Sequence, residues 1–175
     1  MKKMIAMLLA VSLLLCGALS VAEKTKIGTL NVNGAFDLKC TIPEGYAIDI
    51  GQADTTQIFA DINSQDKAKP SMTLTIAFNE LFSGIERLNE LDGAALAALE
   101  QTFRAEDDVT ISYRNTEHGT KLLIAELKGR YVDFYTIYKG FEIEFLLTAG
   151  TEPLTDAQTD MVVSFLSDLD FDCAN

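Results

Sequence analysis

The chain of 175 residues has no tryptophan, one histidine, three cysteines and three prolines. A single histidine, His118, excludes the two-histidine metalloprotease helix and any three-histidine zinc centre. It sits in the turn-like run NTEHGT beside Glu117, where a solvated side chain is the ordinary outcome. The chain also lacks a Gly-x-Ser-x-Gly elbow, a phosphate-cradling Gly-rich loop and a Gly-x-Gly-x-x-Gly fingerprint, so serine-hydrolase and nucleotide chemistry have no visible carrier. Without tryptophan a sugar-stacking cleft lacks its usual platform. Basic residues are scarce: 14 Lys and Arg stand against 26 Asp and Glu, a formal charge of −12. Such a surface repels phosphate backbones and anionic lipid, which excludes nucleic acid as a partner on electrostatic grounds. Solubility outside the cell, a cationic partner and a divalent ion remain compatible with it.

What is present begins with an export signal over residues 1–22. Lys2 and Lys3 supply the positive end, Met4 to Leu15 the apolar stretch, and Ser20-Val21-Ala22 a small-residue cleavage site. The uncharged run from Met4 to Ala22 spans 19 residues, just long enough to cross a bilayer if uncut. Ser12, Gly17 and Ser20 dilute it, and no basic stop-transfer cluster follows Glu23. A cleaved signal and an extracytoplasmic destination are therefore expected, with no transmembrane segment left behind. Lipid modification at Cys16 is the competing reading, but lipoprotein signals place a small residue before the cysteine and here Leu15 stands there. Residues 23–175 then form a single domain of ordinary size. Losing Lys2 and Lys3 takes the 14 basic residues to 12 and the formal charge from −12 to −14. Two cysteines remain, Cys40 and Cys173. An even count in an exported chain suggests a disulfide, which would contribute about 4 to 5 kcal/mol at most by loop entropy. Two unpaired thiols, one buried and one on a tail, are the alternative.

Along the mature chain, Asn33-Gly34 separates KIGTLNV from AFDLKCTI and predicts a tight hairpin. Phe36, Leu38, Cys40 and Ile42 alternate onto one face, and Pro43 with Gly45 bends the chain before YAIDI. QIFADIN and SMTLTIAFN read as two more strands. Leu81, Ile85 and Leu88 suggest a short helix. Asp92 can cap another in which Leu96, Leu99 and Phe103 share a face and Glu100 can pair with Arg104. From residue 109 to 148, VTISYRN, KLLIAELK, YVDFYTIYK and FEIEFLLT form a meander whose short connections require antiparallel pairing. Thr155 opens a final helix with a capping box to Gln158, its apolar stripe being Met161, Val162, Phe165 and Leu169. DLDFDCAN closes the chain as a tail. The predicted class is α+β: an antiparallel sheet, a single pleated layer covered by helices, with the C-terminal helix packed on it.

This order of elements, with the Pro43, Gly45 and Tyr46 bend and the closing MVVSFLSDLDF segment, resembles the Mog1/PsbP-like group. The resemblance covers nearly all of the mature chain through element order and two loose motifs. It implies an antiparallel sheet sandwiched by helices and a role as a binding or accessory subunit. It carries over no catalytic residue.

The expected function is therefore a non-enzymatic exported domain that binds a protein or small ligand at the cell envelope or outside it, with no cofactor. The alternative is an extracytoplasmic hydrolase using a carboxylate pair, although no pair stands out among the acids. Asp168, Asp170 and Asp172 imitate the start of a calcium loop, but Cys173 occupies the glycine position and the chain given ends too soon for the bidentate glutamate. Tyr131 and Tyr135 fall on one strand face, Phe134 and Tyr138 on the other. The first two form a candidate partner surface if that face is open, and core if it is covered.

Overall fold

A computed structural model describes residues 26–172 apart from 43, 54–55, 65, 67–68, 105–107 and 151, and leaves out the side chains of 26–28, 165 and 172. The leader with Cys16, the second cysteine Cys173, and the Phe165 side chain of the expected helical stripe lie outside the described residues. The strands are β1 (Lys26–Val32), β2 (Phe36–Ile42), β3 (Tyr46–Ala53), β4 (Gln57–Ser64), β5 (Met72–Phe78), β6 (Thr110–Asn115), β7 (Lys121–Leu127), β8 (Tyr131–Tyr138), β9 (Phe141–Thr148) and β10 (Asp170–Asp172). The helices are α1 (Gly93–Phe103) and α2 (Asp156–Leu166), with 3-10 turns at Glu80–Phe82 and Leu88–Glu90. The described residues are thus mostly antiparallel sheet with two helices, one of them near the C-terminus.

The local signals act as their chemistry requires. Asn33 and Gly34 take φ of 50° and 76° and, with Ala35, form a three-residue hairpin loop that sets Val32 opposite Phe36. Asp92 accepts from the backbone N–H of Ala94 and Ala95 and starts α1. Thr155 and Gln158 close a reciprocal capping box on α2. Three expectations need correction. Leu81 and Leu88 fall in two separate 3-10 turns with Ile85 between them, rather than on one short helix. Gly84 between them sits at φ 90°, which no helix permits, and the carbonyls of Ile85 and Glu86 accept from Gly140 and Lys139 instead of turning inward. The segment after α2 is not a plain tail, because β10 pairs antiparallel with β2, Phe171 opposite Leu38. And the strands form two sheets instead of one layer: a seven-stranded sheet in the order β3-β4-β5-β9-β8-β7-β6, and a small sheet β1-β2-β10.

The small sheet and α2 cover one face of the large sheet. Phe36, Leu38 and Cys40 from β2, and Val162 and Leu166 from α2, meet Leu74, Ile76, Phe134, Ile143 and Phe145 in a single core. Phe36 is its joint, packing edge-to-face on Tyr138, Phe141 and Phe171 at centroid distances of 4.9, 5.4 and 5.8 Å. On the other face α1 and the Leu88 turn cover only β6, β7 and β8, where Leu123, Ala125, Tyr135 and Ile137 pack with Leu88, Leu99 and Val109. Among the described residues nothing covers this face beyond β8. Glu142, Glu144, Leu146, Thr73 and Thr75 are half-buried, and Phe59 is exposed.

Candidate functional site

The border between the covered and open halves of that face is a groove of about 380 Å³. Thr102 and Phe103, at the last turn of α1, form one wall; Tyr131 and Asp133 of β8 and Glu144, Leu146 and Thr148 of β9 form the floor and far side. Strand alternation puts Tyr131, Asp133 and Tyr135 on this face. The β8–β9 register sets Asp133 opposite Leu146 and Tyr135 opposite Glu144, so Asp133 and Glu144 are diagonal neighbours within side-chain reach.

Asp133 is 7% exposed. Its carboxyl is hydrogen-bonded to Glu144, while its Oδ1 is buried with no hydrogen-bond partner among the described residues. Burial, then the charge and hydrogen bond of Glu144, push the Asp133 carboxyl up to about 8, because two adjacent carboxylates in a poorly hydrated site cannot both ionise. Asp133 therefore keeps its proton at neutral pH. Neither carboxyl forms an ion pair with Lys or Arg among the described residues. The neighbouring Glu142 is the opposite case. Its Oε1 accepts from the Tyr135 hydroxyl at 2.7 Å and its Oε2 from Asn79 Nδ2 at 2.9 Å. Burial and the acceptor Glu142 hold the Tyr135 hydroxyl in its protonated form well above the usual tyrosine range. Phe103 stacks edge-to-face on Tyr135 at 5.2 Å and seals that end of the groove. Across α1, Glu100 accepts from the Tyr113 hydroxyl at 2.6 Å and lies 3.9 Å from Arg104, the expected pairing four residues on.

Of the residues singled out in the sequence, Tyr135 is buried under Phe103 and Tyr131 is half-buried at the groove. Cys40 is buried on β2, and burial, with the charge of Asp168, pushes its thiol up to about 12. Its prospective partner Cys173 lies outside the described residues; Asp172, the last one described, stands opposite Asp37. Asp168 accepts from the Thr41 backbone N–H at 2.9 Å and from the Thr41 hydroxyl, fastening the chain after α2 to β2. Asp170 lies 3.9 Å from the half-exposed His118. Among the described residues no three His, Cys, Asp or Glu side chains are placed to hold a metal ion.

The Asp133–Glu144 pair escaped the sequence reading, yet a signal for it exists. Lys139 and Gly140, at φ 51° and 79°, make a two-residue hairpin loop, and that loop sets the register of β8 on β9 outright. An aspartate inside the apolar run YVDFY, brought diagonally across from a glutamate, is the mark to look for. No protein-family model matches the chain, and no curated protein matches it in sequence.

Proposed function

We propose that this is an exported, non-catalytic binding or accessory domain whose ligand seat is the groove at the end of α1. The observation that carries this reading is Asp133: a nearly sealed carboxyl with an unpartnered oxygen, held at the floor of a groove open to solvent. An unsatisfied buried polar group costs about 1 to 3 kcal/mol. Such a group in a native fold needs a reason, and a ligand or partner that donates to it supplies one. The three-part leader supports delivery to the envelope or beyond, and no helix among the described residues is long and apolar enough to cross a membrane. The element order and a helix on either side of the large sheet support kinship with the Mog1/PsbP-like group, although the small second sheet is not something that resemblance implies.

The carboxylate-pair hydrolase has one observation in its favour, the pair itself. Against it, glycoside hydrolysis needs carboxyls about 5 to 9.5 Å apart with substrate between them, whereas Asp133 and Glu144 are hydrogen-bonded to each other. A fragment screen by amide NMR on the mature chain tests the binding reading. Compounds that bind should shift Thr102, Asp133 and Leu146 together. Shifts clustered elsewhere would reject the groove, and turnover of a glycoside or peptide panel that is lost in Glu144→Gln would replace binding with catalysis.

A further inference from the structure

We propose that the Asp133–Glu144 pair is a seat for an organic cation, an ammonium or guanidinium group, that enters beside Phe103 and Tyr131 and donates to the carboxyl oxygens. This rests on the groove being the ligand seat and adds the chemistry of what fills it. Three independent features point to positive charge. Asp133 is more than nine-tenths buried and keeps an oxygen without a donor, so the site is short of hydrogen-bond donors, which ammonium and guanidinium supply in excess. Neither carboxyl has a Lys or Arg partner among the described residues, while the adjacent Glu142 has both oxygens occupied. The vacancy for a cation is thus confined to one pair in a row of acids. Finally, the wall and floor beside the pair are aromatic, Phe103 and Tyr131, and an aromatic face attracts a desolvated cation.

Charge balance follows from the same geometry. Among the described residues, the titratable groups facing Asp133 are Glu144 and Glu142 from β9 and Tyr135 and Tyr131 from β8, while α1 contributes Thr102 and Phe103 to the groove. In the free protein Asp133 carries a proton. When a monovalent cation binds, the proton leaves to solvent, both carboxylates become acceptors, and the net charge of the site is unchanged. A neutral ligand releases no proton, and that difference is measurable.

The test is isothermal titration of the mature chain at pH 7 in two buffers of different ionisation enthalpy, with three probes: benzylammonium chloride, the capped tripeptide acetyl-Gly-Lys-Gly-amide, and benzyl alcohol as a neutral analogue. At least one cation should bind saturably and release close to one proton, and Asp133→Asn and Glu144→Gln should each weaken it about tenfold or more. Asp156→Asn, on an 83% exposed carboxylate elsewhere, should leave affinity unchanged, which separates the pair from overall charge. Tighter binding of benzylammonium identifies a free amine as the ligand class, and tighter binding of the tripeptide a basic side chain of a partner. Circular dichroism of both groove variants establishes that they are folded. If benzyl alcohol binds the groove as well as the cations do, or either variant keeps full affinity, the cation seat is overturned while the groove survives. If no probe binds and the NMR screen leaves the groove unshifted, both fall.

Discussion

Replacing Asp133 with asparagine should change how stability responds to pH before it changes anything else. In the unfolded chain this carboxyl has the ordinary value of 3.8, whereas in the fold it is pushed up to about 8. Between these limits the folded protein holds a proton that the unfolded chain has released. Stability therefore falls as pH rises, at no more than about 1.4 kcal/mol per unit for one proton. The contribution is fully present below about pH 4 and gone above about pH 8. From pH 5 to 7.5 the ceiling is about 3 kcal/mol, and we expect about 2 kcal/mol. Asparagine has no proton to lose. The variant should thus gain about 2 kcal/mol relative to the parent across that interval, whatever its offset at pH 5. Urea denaturation followed by circular dichroism at pH 5, 6, 7 and 7.5, on both proteins, isolates the effect from the general repulsion among the other acids. Parallel curves, separated by a constant within about 0.5 kcal/mol, would refute a proton held by Asp133 in the fold.

Phe36→Ala should cost about 3 to 5 kcal/mol, since one fully buried ring ties the small sheet to Tyr138 and Phe141 of the large one; a loss below about 1.5 kcal/mol in denaturant would mean that the two sheets are not joined there. Gly140→Ala should destabilise more than Gly129→Ala. Both positions have positive φ and incur about 1 kcal/mol or more of strain, but at Gly140 a Cβ would also meet Phe78 Cε2 at 3.0 Å and Phe82 O at 3.4 Å, whereas at Gly129 it meets only Pro153 Cβ at 3.5 Å. Thermal melts that rank the two in reverse would contradict the turn geometry. At pH 8 the folded chain should leave Cys40 unmodified by iodoacetamide, because its thiol is buried and pushed up to about 12; rapid labelling would show that β2 is not covered. In concentrated guanidinium without reductant, a Cys40–Cys173 bridge, the alternative to a free Cys40 thiol, would leave both cysteines unlabelled, and two labelled cysteines would exclude it.

Much of the sheet could be read in advance because its determinants are local. Alternation in FDLKCTI and MTLTIAF places Leu38 and Leu74 inward, at 1% and 0% exposure, whichever strand lies alongside. Positive φ at Asn33-Gly34 and the Thr155–Gln158 box depend on neighbours within four residues. The Asp133–Glu144 pairing stood within reach too, through the Lys139-Gly140 hairpin, because a two-residue loop leaves a single register. The reading missed it by weighing the acids as a total rather than by face.

Three features were decided only in three dimensions. The pairing of β10 with β2 joins residues more than 130 apart; three residues of strand carry too little pattern of their own, and their partner is chosen by the core that Phe171 shares with Phe36. The division into two sheets follows from how β1, β2 and α2 fold back over the large sheet to bury its apolar face. The groove exists because α1 ends at Phe103, above β8, and leaves β9 uncovered. Dihedral preference and side-chain alternation act over a few bonds and are written along the chain. Burial of Asp133 depends on which distant surface arrives to exclude water, and no short stretch of residues contains that.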